Sequence, residues 1–293
     1  MSGRWRRLGR VVADPPGWRG AMVPFVDGDA LYVSGRDDEG RTSTLRATLA
    51  PDTLDAAAWD PEPVLAPGRL GTFDDSGSTG SCLVWHEGRA HLYYIGWNRG
   101  VTVPFHTSIG LAVGDGRAFE RVSEAPVLGR NPSDPIFTTS PWVLRDGGTW
   151  RMWYTSCERW EPTPAGPRHH YDIRHAESDD GVCWRPTGHR CIGFRDAGEY
   201  AIARPCVVRD GNLYRMWFSY RGDGYRIGYA ESDDGLAWTR IDDARGLGPS
   251  GEGWDATMVE YPFVFERAGR RTLLYNGDGY GASGAGAAIW DER

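Results

Sequence analysis

The chain has 293 residues, a formal net charge of −7 and no lysine, so all 33 of its basic residues are arginine. That balance, with no basic tract, argues against a nucleic-acid partner, and the missing lysine excludes Schiff-base chemistry and a phosphate-loop lysine. No run reaches membrane-spanning length, and the start, Met1 to Arg6, carries no hydrophobic signal region. The cysteines (Cys82, Cys157, Cys183, Cys191, Cys206) form no CxxC pair, so reduced thiols and a cytoplasmic address are expected, with no membrane partner.

In chain order, the first strand pattern is Arg4–Val12. Five units follow, opening at Pro24, Cys82, Pro141, Pro205 and Pro262, about 60 residues apart. Each begins with a short apolar strand such as Pro205-Cys206-Val207-Val208, then a turn such as Asp210-Gly211. An aromatic strand comes next: Arg151-Met152-Trp153-Tyr154 in one unit, Arg215-Met216-Trp217-Phe218 in another. A third strand runs into Ala176-Glu177-Ser178-Asp179-Asp180-Gly181 or its near copy Ala230-Glu231-Ser232-Asp233-Asp234-Gly235. Asp and Gly there suit tight strand reversals, so the paired aspartates read as turn residues. A last edge strand, such as Trp238-Thr239-Arg240-Ile241, ends the unit. Four antiparallel strands per repeat predict an all-β, five-bladed β-propeller, a single domain over residues 1–293. The fifth unit lacks its last strand, and Arg4–Val12 is expected to supply it, closing the ring and covering the edges.

In that architecture the first strand of each blade lines the axis, so the residues just before each opening converge on one mouth. Seven positions before Cys82, Pro141 and Pro262 stand Asp75, Asp134 and Asp255, with Asp74 beside the first and Glu199 six before Pro205. The ends of the second strands add Trp97, Asn98, Tyr220, Arg221 and Asn276, a loop adds His106, and the openings themselves add Ser140, Arg204, Glu260 and Tyr261. Carboxylates, guanidiniums and exposed rings on one face suit a small-molecule or carbohydrate substrate. Glu260 lies among Met258, Val259, Tyr261 and Pro262, where desolvation raises a carboxyl pKa and favours proton donation. The expected catalytic set is Glu260 as acid/base, Asp75 as its charged partner and Arg204 as a clamp. Arg204 has a plainer reading too, as neutraliser of Glu199 or Glu260. The spacing of His169, His170 and His175 fits no common metal site; no metal or cofactor is expected.

The signature around Tyr214-Arg215-Met216-Trp217-Phe218, Ile227-Gly228-Tyr229-Ala230 and the following Asp-Asp-Gly turn resembles the five-bladed arabinanase, invertase and family 43 glycoside hydrolase superfamily, over essentially the whole chain. Ile202-Ala203-Arg204-Pro205, Val259-Glu260-Tyr261-Pro262 and Asn276-Gly277-Asp278-Gly279-Tyr280-Gly281 resemble a bacterial, biosynthesis-linked subgroup. The resemblance implies glycosidase-like chemistry on a sugar, glycoside or nucleotide-sugar-like metabolite. It also implies carboxylates before the openings of units one and three, where this chain has Met22-Val23 and Thr139-Ser140. A cyclase, lyase or isomerase in a repurposed pocket, and a non-catalytic carbohydrate-binding propeller, are the alternatives.

Overall fold

The computed structural model describes residues 3–51 and 53–292; Met1 and Ser2, part of the N-terminal stretch read above, lie outside them, as does Arg293 of the expected domain. The fold is all-β. After β1 (Gly3–Val12) come four antiparallel meanders. They are β2 (Arg19–Asp27), β3 (Ala30–Arg36), β4 (Thr42–Leu49) and β5 (Ala56–Trp59); then β6 (Gly77–His86), β7 (Arg89–Arg99), β8 (Phe105–Gly114) and β9 (Phe119–Arg121). The third is β10 (Thr138–Asp146), β11 (Thr149–Glu161), β12 (Arg168–Ser178) and β13 (Arg185–Ile192); the fourth is β14 (Ala201–Asp210), β15 (Leu213–Arg221), β16 (Tyr225–Ser232) and β17 (Thr239–Arg240). The fifth unit, β18 (Glu260–Arg267), β19 (Arg270–Asn276) and β20 (Ala285–Glu292), takes β1 as its outer strand, with Trp5 opposite Trp290. The long-range pairing expected of the N-terminal strand is therefore present.

The units meet through their first strands: β2 lies against β6, β6 against β10, β10 against β14, β14 against β18, and β18 against β2. Single parallel bridges, Thr42 with Gly77 and Tyr171 with Ala201, join units one to two and three to four, and no hydrogen-bonded sheet among the described residues closes on itself. Second strands are buried on both faces because a neighbouring unit covers each one; Met152, Trp153 and Tyr154 have no exposed surface, nor do Met216, Trp217 and Phe218. Ring donors of these strands reach the turn after the third strand of the next unit. Tyr32 Oη donates to the Gly116 carbonyl at 2.6 Å, Tyr93 Oη to Gly181 at 2.8 Å and Trp153 Nε1 to Gly235 at 2.7 Å. This explains the repeated Ser-Asp-Asp-Gly. Asp180 Oδ1 accepts from the Val182 and Cys183 amides and Asp234 Oδ1 from those of Leu236 and Ala237, shaping turns that present a carbonyl to a neighbour.

The strand register corrects one alignment. Phe25 faces Tyr32, Cys82 faces Tyr93, Trp142 faces Trp153, Cys206 faces Trp217 and Phe263 faces Leu274. Cys82 is thus equivalent to the residues after the prolines, and Ser81 holds the proline place. A bulge hides the shift. It interrupts the first strand of every unit at this point, and in four units the residue before the proline has positive φ: Val23 (53°), Ser140 (48°), Arg204 (54°) and Tyr261 (55°). Non-glycine residues adopt this left-handed backbone only when the surroundings enforce it, and here it coincides with the bulge in each first strand.

Candidate active site

Counting from Ser81 instead of Cys82 replaces Asp75 by Asp74, and the repeat becomes exact in space. Asp74, Asp134 and Asp255 each accept from a tyrosine 20 residues further on: Tyr94 at 3.0 Å, Tyr154 at 2.9 Å and Tyr275 at 2.9 Å. Arginines close each knot. Arg121 Nε donates to Asp74 at 2.7 Å, Arg7 Nε to Asp255 at 3.0 Å, and Arg174 lies 3.4 Å from Asp134. These aspartates are buried and fully engaged within the chain. In unit four Phe218 stands at the tyrosine place, and Glu199 instead accepts both Nη groups of Arg240 at 2.7 Å.

Other residues expected at the mouth are similarly occupied. Asp75 accepts from the Gly71 amide at 3.0 Å and from Asn98 Nδ2 at 2.7 Å, which holds its carboxyl below the usual range despite the opposing effect of partial burial. No hydrogen bond or ion pair joins it to Glu260 or Arg204 among the described residues. Trp97 Nε1 donates to Thr42 Oγ1, and His106 Nδ1 meets the Arg130 guanidinium. Tyr220 lies under the guanidiniums of Arg240 and Arg195, 4.6 and 5.8 Å from its ring centre. Asn276 is a latch between units five and one. Its Oδ1 accepts from the Val23 amide at 2.9 Å, while Nδ2 donates to the Ala21 and Gly284 carbonyls at 2.6 and 2.8 Å. Ser219 does the same for the Tyr261 amide (2.9 Å) and Thr155 for that of Arg204 (3.3 Å), so second-strand side chains satisfy the bulge amides of the next unit.

Glu260 and Arg204 differ from all of these. Glu260 is the first residue of β18, paired with Asn276 across the ladder, and has no exposed surface. Neither of its carboxyl oxygens has a hydrogen-bond partner among the described residues. Burial drives its pKa well above the carboxylate range, opposed by the Arg221 charge and by the nearby Tyr261 phenol, which lies close without hydrogen-bond geometry. Around it stand Tyr171 and Tyr225, whose hydroxyls bond to each other. Burial raises both phenols' pKa values, and the Glu260 charge adds to the effect. The half-buried Arg221 guanidinium covers the rings of Tyr225, Tyr200 and Tyr280 at 5.2, 5.4 and 5.8 Å from their centres and bonds to Tyr280 Oη. His169 stacks on Tyr171 at 4.5 Å, and burial pushes its pKa down to about 4. His170 instead meets Glu161 at 2.6 Å, and His175 packs on Trp153, so the three histidines serve separate places.

Arg204, also without exposed surface, extends from unit four to unit two, where its Nη1 donates to Ser81 Oγ at 2.5 Å. It forms no ion pair with Glu199 or Glu260 among the described residues; Glu199 belongs to Arg240. The structure thus gathers Glu260, Tyr261 and Arg221 of the expected set and leaves Asp75 in a turn. Tyr225 and Tyr280 were not singled out from the sequence. The repeat did carry a signal for one of them: Tyr171 and Tyr225 are separated by 54 residues, the same interval as between Ala176 and Ala230.

Comparison with solved structures places this fold in a known class. A BT0996 RGII complex superposes with a TM-score of 0.76 at 19% identity, covering 100% of this protein and 93% of the other. A glycoside hydrolase gives 0.74 at 18% identity, covering 99% and 93%. A thermostable family-43 glycoside hydrolase gives 0.64 at 17%, covering 95% and 91%. The fold is that of glycoside hydrolases. No family model matches the sequence. The uncharacterized proteins MT1551 and Rv1502, from two strains of Mycobacterium tuberculosis, are each 42% identical over 301 residues, spanning 97% of this chain and 98% of the relative. This chain belongs to the family of Rv1502. No helix among the described residues is long and apolar enough to cross a membrane.

Proposed function

We propose that this chain is a five-bladed propeller, one domain closed by β1, acting as a glycosidase-like enzyme on a sugar, glycoside or nucleotide-sugar-like metabolite. A cytoplasmic biosynthetic pathway is the setting that goes with this reading. One observation carries it: Glu260 is a fully buried carboxyl with both oxygens free of partners, beside phenols and a guanidinium on a strand that meets its neighbours at the axis. A carboxyl desolvated in this way holds its proton to higher pH than a free carboxyl and can deliver it to a leaving oxygen. As the anomeric C–O bond breaks, the Glu260 proton passes to the departing oxygen. Water then adds to the anomeric carbon and its surplus proton restores the acid. Tyr171, Tyr225 and the Arg221-covered rings offer hydroxyl partners and flat faces for a sugar.

Hydrolysis of a glycoside normally uses two carboxyl groups, and no second carboxylate is among the groups acting on Glu260. That favours, as a second reading, a lyase or isomerase that moves one proton with one acid. A panel of activated glycosides separates the readings by whether hydrolysis products form. Glu260→Gln should abolish turnover while ligand binding remains; full turnover in this variant would remove Glu260 from the chemistry.

A further inference from the structure

The guanidinium of Arg204 has one edge in use and one edge open. Nη1 is held by Ser81 Oγ, which in turn donates to the Pro141 carbonyl at 2.7 Å. Nε and Nη2 have no partner among the described residues. These two nitrogens lie on the same side of the planar group, and their parallel N–H bonds form the fork that a carboxylate or phosphate accepts bidentately. The open fork is fully buried, and the charge behind it is not neutralised. The groups acting on Arg204 are the thiols of Cys206 and Cys82, both pushed up to about 12 by burial, and the Tyr261 phenol, so all three are neutral at physiological pH. Burial of an unpaired cation is unfavourable, so an incoming anion would relieve a cost that the folded chain carries at this point.

The open fork is connected to the Glu260 cluster through Tyr261, whose half-buried side chain is within electrostatic reach of Glu260 and of Arg204. A half-open pocket of about 320 Å³ lined by Cys82, Trp142, Arg145, Phe263 and Val264 among others is lined by neither Arg204 nor Glu260. We propose that the protein takes a substrate bearing an anionic oxo group, a carboxylate or a phosphate, which sits on the Nε–Nη2 edge of Arg204 while the sugar portion lies against Tyr261 and Glu260. This deepens the glycosidase-like reading and rests on it for the sugar portion; the anion-binding edge stands on the Arg204 geometry alone.

The test is ligand binding to the full chain by calorimetry and by melting shift at constant ionic strength. Glucuronate, glucose 6-phosphate, glucose, inorganic phosphate and chloride are the probes. At least one of the two sugar acids should bind at least tenfold more tightly than glucose. Arg204→Met should lose that preference yet melt, unliganded, at or above the wild-type temperature, because it removes an unpaired buried charge. Arg204→Lys keeps a charge without the fork and should bind weakly; it stands in if the Met variant fails to fold. Unchanged sugar-acid binding in Arg204→Met or Arg204→Lys would overturn the proposal, as would no anionic probe binding at all. Binding of inorganic phosphate or chloride alone would show a free-ion site and overturn the substrate assignment. Glu260→Gln separates the two ideas: the anion preference persists there even if Glu260 proves irrelevant to turnover.

Discussion

Two buried polar regions of this molecule are built by opposite rules. In the Asp–Tyr–Arg knots each buried aspartate accepts from a phenol and lies against an arginine. Around the axis, Glu260 has no partner for either oxygen and Arg204 has none for two of its nitrogens. Both regions derive from the same repeat and sit at the heads of the same strands. The contrast separates buried polar groups satisfied by other strands from buried polar groups left without a partner, and the proposals above assign the latter to a ligand.

The largest effect expected is at the open site. Glu260→Gln should lower kcat by about 10²–10⁴-fold, the range for loss of a general acid, without lowering stability near neutral pH. A rate near wild type would make the axial acid a structural group after all. In the knots the balance reverses. Asp255→Ala strands the Tyr275 hydroxyl and the Arg7 guanidinium and should cost about 2–4 kcal/mol of unfolding free energy in denaturant titrations, with kcat of the remaining folded protein close to wild type. Asn276→Ala leaves the Val23 amide and two carbonyls without their partner. It should cost about 2–3 kcal/mol and speed amide exchange at the junction of β2 and β18 more than within unit three. Uniform exchange throughout would argue against the latch between the last and first units.

The pH dependence sharpens the comparison further. Glu260 ionises near 4.5 when unfolded and only at higher pH when folded. Its contribution to stability is complete below 4.5 and is lost as the pH rises toward the folded value. Glu260→Gln removes that loss, so its stability relative to wild type should grow as the pH rises above about 5. His175 behaves in the opposite sense. Burial first, then the Arg151 charge, lowers its pKa from 6.5 to about 3, so stability present above 6.5 falls as the pH drops toward 3, and a neutral His175→Gln should flatten that limb. The smallest effect belongs to the Asp-Asp-Gly turns: Asp234→Ala should cost about 1 kcal/mol and leave turnover unchanged.

Much of the architecture was legible because the repeat is written in local chemistry. Alternating apolar and aromatic stretches mark the strands, Asp-Gly turns mark their reversals, and a missing fourth strand at one end answers a spare strand at the other. Glu260 and Arg204 stood out because charges beside prolines on axis-lining strands have few reasons to be there. The Asp75 assignment failed to find its geometry because unit two has no proline at its opening: Ser81 holds that place, counting from Cys82 lands one residue late, and a shift of one residue moves a side chain to the other face. Tyr225 and Tyr280 looked like ordinary strand and loop aromatics.

The sequence by itself determined the strand order, the turns and which residues repeat, since these depend on neighbours along the chain. Only the tertiary structure decided which carboxylates are consumed by internal partners and which are left without one. That outcome depends on whether a phenol or guanidinium from another strand arrives within about 3 Å, a distance set by bulges and packing between units that no single segment encodes.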